Sequence, residues 1–297
     1  MKKRFLYLIL PIITLILEAL PYGAVCVFAS SPTERLRETF SYFDLTPFGY
    51  ANFAPLFTAI ITCLIFILLM IYCIKGIFAL FFFLFIAMGA ITGLSNGIPL
   101  RTNTVDNDGY NAISLSKSRE AMRAFWIQMK VNEQLTKGLR VKDMPDEWFE
   151  VPSDEAMKNS MVATIGVYAA NRLMDQHRFD EAEALMNHML EIESGIVALH
   201  RNLIICDLVY LELIGQNRSD KLEILYSKEL KKFIKTMKTF PSVIRTEYAY
   251  SLLKEHNPES AAKSMAAFER IAATYPYPND INSERELIQL VDDKVSV

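Results

Sequence analysis

In the stretch NTVDNDGYNAISL, residues 103 to 115, Asp108 stands between Asn107 and Gly109, just behind an apolar run from Ala54 to Leu100 that only Lys75 interrupts. A carboxylate at such a place can do one of two things. It can ligate a cation, or it can close a turn and accept hydrogen bonds from the first amides of a helix. A catalytic zinc needs three protein ligands and an open position for water, so Asp108 would need partners. The chain contains no H-E-x-x-H pair, and no histidine precedes His177. One carboxylate cannot hold zinc alone. The stretch therefore reads first as a polar turn, with Gly109 in a left-handed conformation and Asn or Asp capping the next helix. A metal-ligand role for Asp108 is the alternative.

Other chemistry-bearing residues are sparse. His188 and Glu191 stand at H-x-x-E spacing, but a helix rich in glutamate produces that spacing by chance. His177, His200 and His256 occur singly and read as surface or cap positions. Cys26, Cys63 and Cys73 lie in or beside apolar segments, and Cys206 has no partner nearby in sequence, which argues against a disulfide framework. No catalytic residue is assigned.

The elements that must position Asp108 fall into two parts. Residues 1 to 100 hold ten charged side chains, six basic and four acidic, against 25 basic and 30 acidic in the remaining 197. A membrane part is joined to a soluble part, and neither is basic enough to suggest nucleic acid. MKKRFLYLILPIITLILEAL has a basic start and an apolar run, and the weak cleavage site in CVFASS favours an uncleaved anchor over about 5–20. The run from Ala54 to Leu100 is about twice the length that one span requires, so it divides into spans at 55–74 and 77–98 joined at Lys75-Gly76. Eight Lys or Arg lie between 100 and 142, against two between 21 and 54. That excess places the soluble part in the cytoplasm, although three full spans from a cytoplasmic start would place it outside.

From Leu115 onward the spacing is helical, and no strand-like alternation competes with it. Met122, Phe125, Trp126 and Met129 form one stripe that ends near Gly138, a C-cap position. RVKDMPDEWFEVPSDE, 140–155, reads as a connector, with Ser153 capping the helix that follows. Ala182, Leu185, Met186, Met189 and Leu190 then repeat at i, i+3, i+4, i+7 and i+8, as do Leu199, Leu203, Cys206, Tyr210 and Leu213. Further stripes run over Leu222–Met237, Ile244–Leu252 and Met265–Tyr275. DQHRFD, GQNRSD and EHNPES are the short turns between paired helices. KELKKFIKTMK, 228–238, reads as a solvated basic face. The expected fold is all-α: transmembrane helices followed by a soluble helical-hairpin domain. Its parts are a membrane anchor region at 1–75, a third membrane segment and NDG loop at 76–115, an amphipathic helix and linker at 116–150, and a helical-repeat domain at 151–297.

RFDEAEALMNHML resembles the second helix of a tetratricopeptide repeat, and AAFERIAATYP resembles the end of another, which implies a surface that binds protein partners. IAMGAITGLSNGIPLRTNTVDNDGYNAISL, followed by AFWIQMKVNEQLTKGLRVKDMPDEWF, resembles the C-terminal half of a bacterial branch of the site-2 protease family of intramembrane zinc metalloproteases. The likeness runs from about Ile77 onward. In that family an H-E-x-x-H helix supplies two zinc ligands and the general base, and an Asp in a later N-D-G or L-D-G motif supplies the third ligand. The resemblance makes Asp108 the inherited third-ligand position and zinc the family's cofactor. With H-E-x-x-H absent, it implies a non-catalytic protein of the bacterial cell membrane, in contact with the lipid bilayer, that carries no cofactor alone and binds a protein partner. The alternative is a site-2-type zinc metalloendopeptidase acting on membrane or near-membrane substrates, complete only with H-E-x-x-H ligands from another chain. Residues 1 to about 75, including ETFSYFDLTPFGYANFAP, resemble short two-span membrane proteins of Gram-positive bacteria, which implies a join near Lys75-Gly76.

Overall fold

The computed structural model describes residues 107–296 and, ahead of them, Leu64 and residues 83–84, 86–91, 94–95 and 98–100. Every regular element among the described residues is helical, as the spacing predicts, and none is a strand. The expected span at 5–20, all of 55–74 but Leu64, and part of 77–98 lie outside them. Among the described residues no helix is long and apolar enough to cross a membrane. The chain divides into two units, one ending at Trp126 and the other beginning at Ile127.

In the first unit, helix α1 (Asp108–Lys117) starts at Asn107, whose side chain accepts from the Tyr110 amide at 3.0 Å. The same side chain donates to the carbonyls of Ser95 at 2.8 Å and Ile98 at 2.6 Å and accepts from the Leu100 amide. Asn107 thus caps the helix and ties the approaching chain to it. The expectation for Gly109 needs correction: it lies inside the first turn of α1, and the one described glycine at positive φ is Gly138. With the cap placed at Asn107, no left-handed residue is needed two positions later. Helix α2 (Arg119–Thr136) follows and ends beside Gly138 at φ 82, where the Leu139 amide reaches back to the Gln134 carbonyl at 3.0 Å. This six-to-one bond is the helix stop that the sequence predicts.

The second unit continues through three 3-10 turns, Val141–Asp143, Asp146–Trp148 and Ala156–Lys158. Its connector is held in place by Arg172, which donates to the Lys142 and Met144 carbonyls and lies 4.8 Å from the Phe149 ring centre. Ser153 caps only the third of these turns, through the Ala156 amide at 3.4 Å. Helix α3 (Ser160–Asp175) begins later because Asn159 is extended, and the Asn159 side chain accepts from the amides of Met161 and Val162.

Helix α4 (Phe179–Glu191) returns against α3 through a turn with His177 at φ 57, and buries Ala182, Met186 and Met189 of the predicted stripe. Helix α5 (Ala198–Ile214) buries Cys206, Tyr210 and Leu213, and Asn217 at φ 53 makes the next turn. The stripe from Leu222 to Met237 is divided between α6 (Ser219–Leu225) and α7 (Lys228–Thr236), because Ser227 caps a new helix by accepting from the Leu230 amide. The five lysines of 228–238 are exposed, as a solvated face requires.

Helix α8 (Pro241–Leu253) is buried on most sides, from Val243 and Ile244 to Ala249 and Leu253, and lies against α5, α9 (Pro258–Ala272) and α10 (Pro278–Ser296). It is the central helix of the unit, and it buries Arg245, Thr246 and Ser251 along with its apolar residues. His256 at φ 51 turns the chain between α8 and α9. The three polar sequences between paired helices therefore each contain a left-handed residue, but that residue is His or Asn and not Gly. Gly195 has a different role: a Cβ there would stand 2.2 Å from the Lys158 carbonyl oxygen, so the loop after α4 passes the turn before α3 at a distance only glycine permits.

Candidate functional site

Four helices of the second unit each turn one mixed face toward a common cavity of about 260 Å³. On α3 that face is Tyr168, Asn171 and Asp175. On α5 it is His200, Leu203, Ile204 and Asp207, and on α10 it is Asp280, Ser283, Glu284 and Leu287. The spacing in each set is three or four residues, the period that brings side chains onto one side of a helix. Arg245 enters from α8, and Arg140 from the connector after α2. Each face carries apolar or aromatic residues that pack and polar ones that remain at the void.

Two arginines organise the walls. Arg140 reaches Asp175 through Nε at 3.1 Å and Nη2 at 2.5 Å, and grips Glu286 with Nη1 at 2.5 Å and Nη2 at 2.8 Å. Asp175 also accepts from the Ser283 hydroxyl and the Lys142 amide. Burial works against the charge on Asp175, but the hydrogen bonds from Arg140, Ser283 and Lys142 hold its carboxyl below the ordinary range.

Deeper in, Arg245 is 1% exposed. Its Nη2 donates to Asp207 and its Nη1 to Glu284 at 2.9 Å, while the guanidinium lies 4.3 Å from the Tyr210 ring centre. The Tyr210 hydroxyl in turn donates to the Leu287 carbonyl at 2.8 Å, which fixes α5 to α10. One cation here serves two buried acids. Burial pushes both carboxyls up while their charges raise Arg245, so both sides of the Asp207 contact shift upward, which favours the charge on Arg245 and opposes the charge on Asp207. The closer Asp207 contact keeps that pair ionised, and the proton goes to Glu284, pushed up to about 7 by burial and by Asp207 and Asp280. Asp280 is raised to about 6 by burial and the nearby Asp175.

Two buried nitrogens on the cavity wall have no hydrogen-bond partner, Nδ1 of His200 and Nε of Arg245. Burial lowers the His200 pKa, so the ring is neutral near pH 7. Ser283 gives its hydroxyl proton to Asp175, and burial raises the Cys206 thiol far above its ordinary range, so neither is prepared as a nucleophile. The arrangement is suited to binding.

The residues singled out from sequence lie elsewhere. Asp108 is in the first turn of α1, in the other unit, and its side chain lies outside the described residues. His188 pairs with Asp154 at 2.9 Å on the surface, and His177 and His256 occupy turns. Among the described residues no three His, Cys, Asp or Glu side chains group as a metal site. His200, read as a surface or cap position, lines the cavity instead. Sequence reasoning did not find Asp207, Arg245, Asp280 or Glu284. The available signal was charge embedded in apolar helix, as in LIICDLVYL and PSVIRTEYAY. No family model, curated protein or solved structure matches the chain.

Proposed function

We propose that the chain is a membrane-anchored, non-catalytic protein whose helical-hairpin domain binds a segment of a partner protein in the cavity between α3, α5, α8 and α10. The observation that carries this reading is the convergence of four mixed helix faces on one void of about 260 Å³. The hairpins α3–α4 and α8–α9, closed by short polar turns, support a tetratricopeptide-like arrangement. The anchor rests on the apolar runs at 5–20, 55–74 and 77–98. Met88 and Ile91, helical and 69% and 67% exposed, add support, since large apolar side chains left uncovered by protein suit a lipid environment. The excess of Lys and Arg after residue 100 favours a cytoplasmic helical domain at a bacterial membrane.

A photo-crosslinking amino acid at Asn171, in the full chain in its membrane, is expected to capture a discrete protein. The same group at Lys263, on the exposed side of α9, is expected to capture none. Equal labelling at both positions would count against the cavity as the binding surface.

Within this proposal Asp108 is the inherited third zinc-ligand position of a site-2 protease relative and marks descent, not activity. The purified chain is expected to hold well below one zinc per molecule. Stoichiometric zinc, lost on Asp108→Ala, would instead support a zinc protease whose remaining ligands come from another chain.

A further inference from the structure

Helix α7 reverses the charge of the chain around it. Of the 25 basic and 30 acidic side chains in residues 101–297, five and one fall within 228–238, which leaves 20 and 29. Lys228, Lys231, Lys232 and Lys235 stand three or four residues apart, so they share one side of α7, while Leu230 and Ile234 bury another. All four lysines are exposed. Like charges at this spacing repel along the helix, and Lys228 also lies in the first turn, against the positive end of the macrodipole.

Nothing in the fold offsets this repulsion. Among the described residues no carboxylate reaches any of the four lysines. Glu223, Glu247 and Glu255 lie near the stacked rings of Tyr226 and Tyr250, yet only Glu247 meets a lysine, and that is Lys238 at 3.0 Å. By contrast Lys130, Lys137, Lys158, Lys221 and Lys263 each pair with an acid. The local cost on α7 is relieved only by anions from outside the fold.

The chemistry of the face selects those anions. No arginine occurs between 219 and 244, so the guanidinium fork that grips one phosphate or carboxylate in a fixed register is missing. Lysines act as point charges and suit a fluid layer of headgroups. The stripe is about 10 Å long, and the rest of residues 101–297 is acidic, which opposes a long nucleic-acid path. Ile224, 78% exposed, is the most exposed large apolar side chain among the described residues. It stands four residues before Lys228, within about 14 Å of the stripe. Lysines beside an uncovered apolar side chain are the combination that binds a bilayer surface, with charge at the headgroups and the apolar group below them.

We propose that the lysine face of α7, with Ile224 beside it, docks on the surface of an anionic bilayer. The inference rests on the reading that the chain is anchored in a membrane with its helical domain on the cytoplasmic side, where anionic headgroups concentrate. It adds which face of that domain meets the lipid. The tether keeps lipid close at all times, so a weak attraction suffices. Helix α7 lends no side chain to the cavity, so the two surfaces can be tested separately.

The test reconstitutes the full chain into nanodiscs of phosphatidylcholine, alone or with about one-third phosphatidylglycerol, and reads amine acetylation lysine by lysine by mass spectrometry. At low salt Lys228, Lys231, Lys232 and Lys235 are expected to react at least about five-fold more slowly in the anionic discs, the factor that one lysine near such a surface is worth. Lys263 should react alike in both, and high salt should abolish the difference. Lys231→Gln with Lys235→Gln should restore reaction at Lys228 and Lys232, and Ile224→Ser should weaken the protection. These positions are exposed, so the variants should keep the near-ultraviolet circular dichroism of the parent.

Equal rates in the two lipids, or protection unchanged in either variant, overturn the proposal. Protection in neutral discs by dissolved single-stranded RNA or polyglutamate, as strong as that by anionic lipid, overturns it in favour of a nucleic acid or an acidic protein. Failure of the anchor gives a different result. A chain that does not enter neutral discs but floats with anionic vesicles at low salt loses the anchor and keeps the docking face.

Discussion

Replacing Arg245 with methionine is expected to destabilise the second unit by about 4 kcal/mol at pH 7.5, because it leaves two buried carboxyl groups with no cation. The size follows from position. Arg245 is 1% exposed and Asp207 is 7% exposed, so water cannot take over their contact, while the Glu284 side chain is 16% exposed. Methionine fills similar volume over Tyr210, so the change reports charge more than packing. The loss should shrink as pH falls toward 5, where both acids can take protons. The triple change Arg245→Met, Asp207→Asn, Glu284→Gln should recover most of it, since removing every member of a buried ion group is far milder than removing one. Urea denaturation of the full chain, followed by near-ultraviolet circular dichroism, measures all three. A single variant that loses less than about 1 kcal/mol at pH 7.5 would show that the triad is not buried as a charged unit.

The second large effect is a dependence on pH that Glu284 introduces, in the same sense as the smaller one of Asp280, which is raised to about 6. The Glu284 carboxyl moves from an ordinary 4.5 to about 7 on folding, through burial first and then through Asp207 and Asp280, against the pull of Arg245. Between those values the folded state keeps a proton that the unfolded state has released. The stabilisation is therefore complete below about pH 4.5 and is lost as pH rises through 7, by about 3 kcal/mol in total. Glu284→Gln has no proton to lose, so the parent should fall below the variant progressively over this window. Asp175 and Glu286, held low by Arg140, act in the opposite sense and lose their contribution as acid protonates them, but they are common to both proteins. The difference between the two unfolding curves reports Glu284 together with its coupling to Asp207 and Asp280. A difference that stays constant from pH 5 to 8 would contradict the assignment.

These effects bear on how much was legible in the sequence. The helical period gave the class of fold, and the stripes on α4 and α5 named residues that the core does bury, such as Met186, Met189 and Tyr210. Gly138 and the three polar turns marked real ends of helices. Exact starts were harder to read. Ser153 looked like a cap, yet a single extended residue, Asn159, moved the helix start to Ser160. A capping residue states a preference, and the backbone on either side decides which candidate is used.

The cavity was not legible for a different reason. Asp207, Arg245 and Glu284 meet across separations of 38 and 39 residues, and no local pattern states which helix faces converge. What local pattern does show is an anomaly, a charge on an otherwise apolar stretch at Asp207 and at Arg245, but the pattern does not say what that charge meets. The Asp108 motif was the reverse case. Its sequence stands out, while the described residues around it assign only Asn107 a clear structural task.

The grip of Arg140 on Glu286 joins positions 146 residues apart, and α10 supplies Asp280, Ser283, Glu284 and Leu287 to the cavity. Chains are made from the N-terminus, so α10 emerges after every other described element of the unit. Until it docks, Asp207 and Arg245 line an open trough without their third member, and Asp175 lacks Ser283. Contacts this distant in sequence close late, because the loop entropy must be overcome before they contribute. Before α10 docks, the unit therefore lacks the pocket, and the cavity closes in one step when that helix is in place.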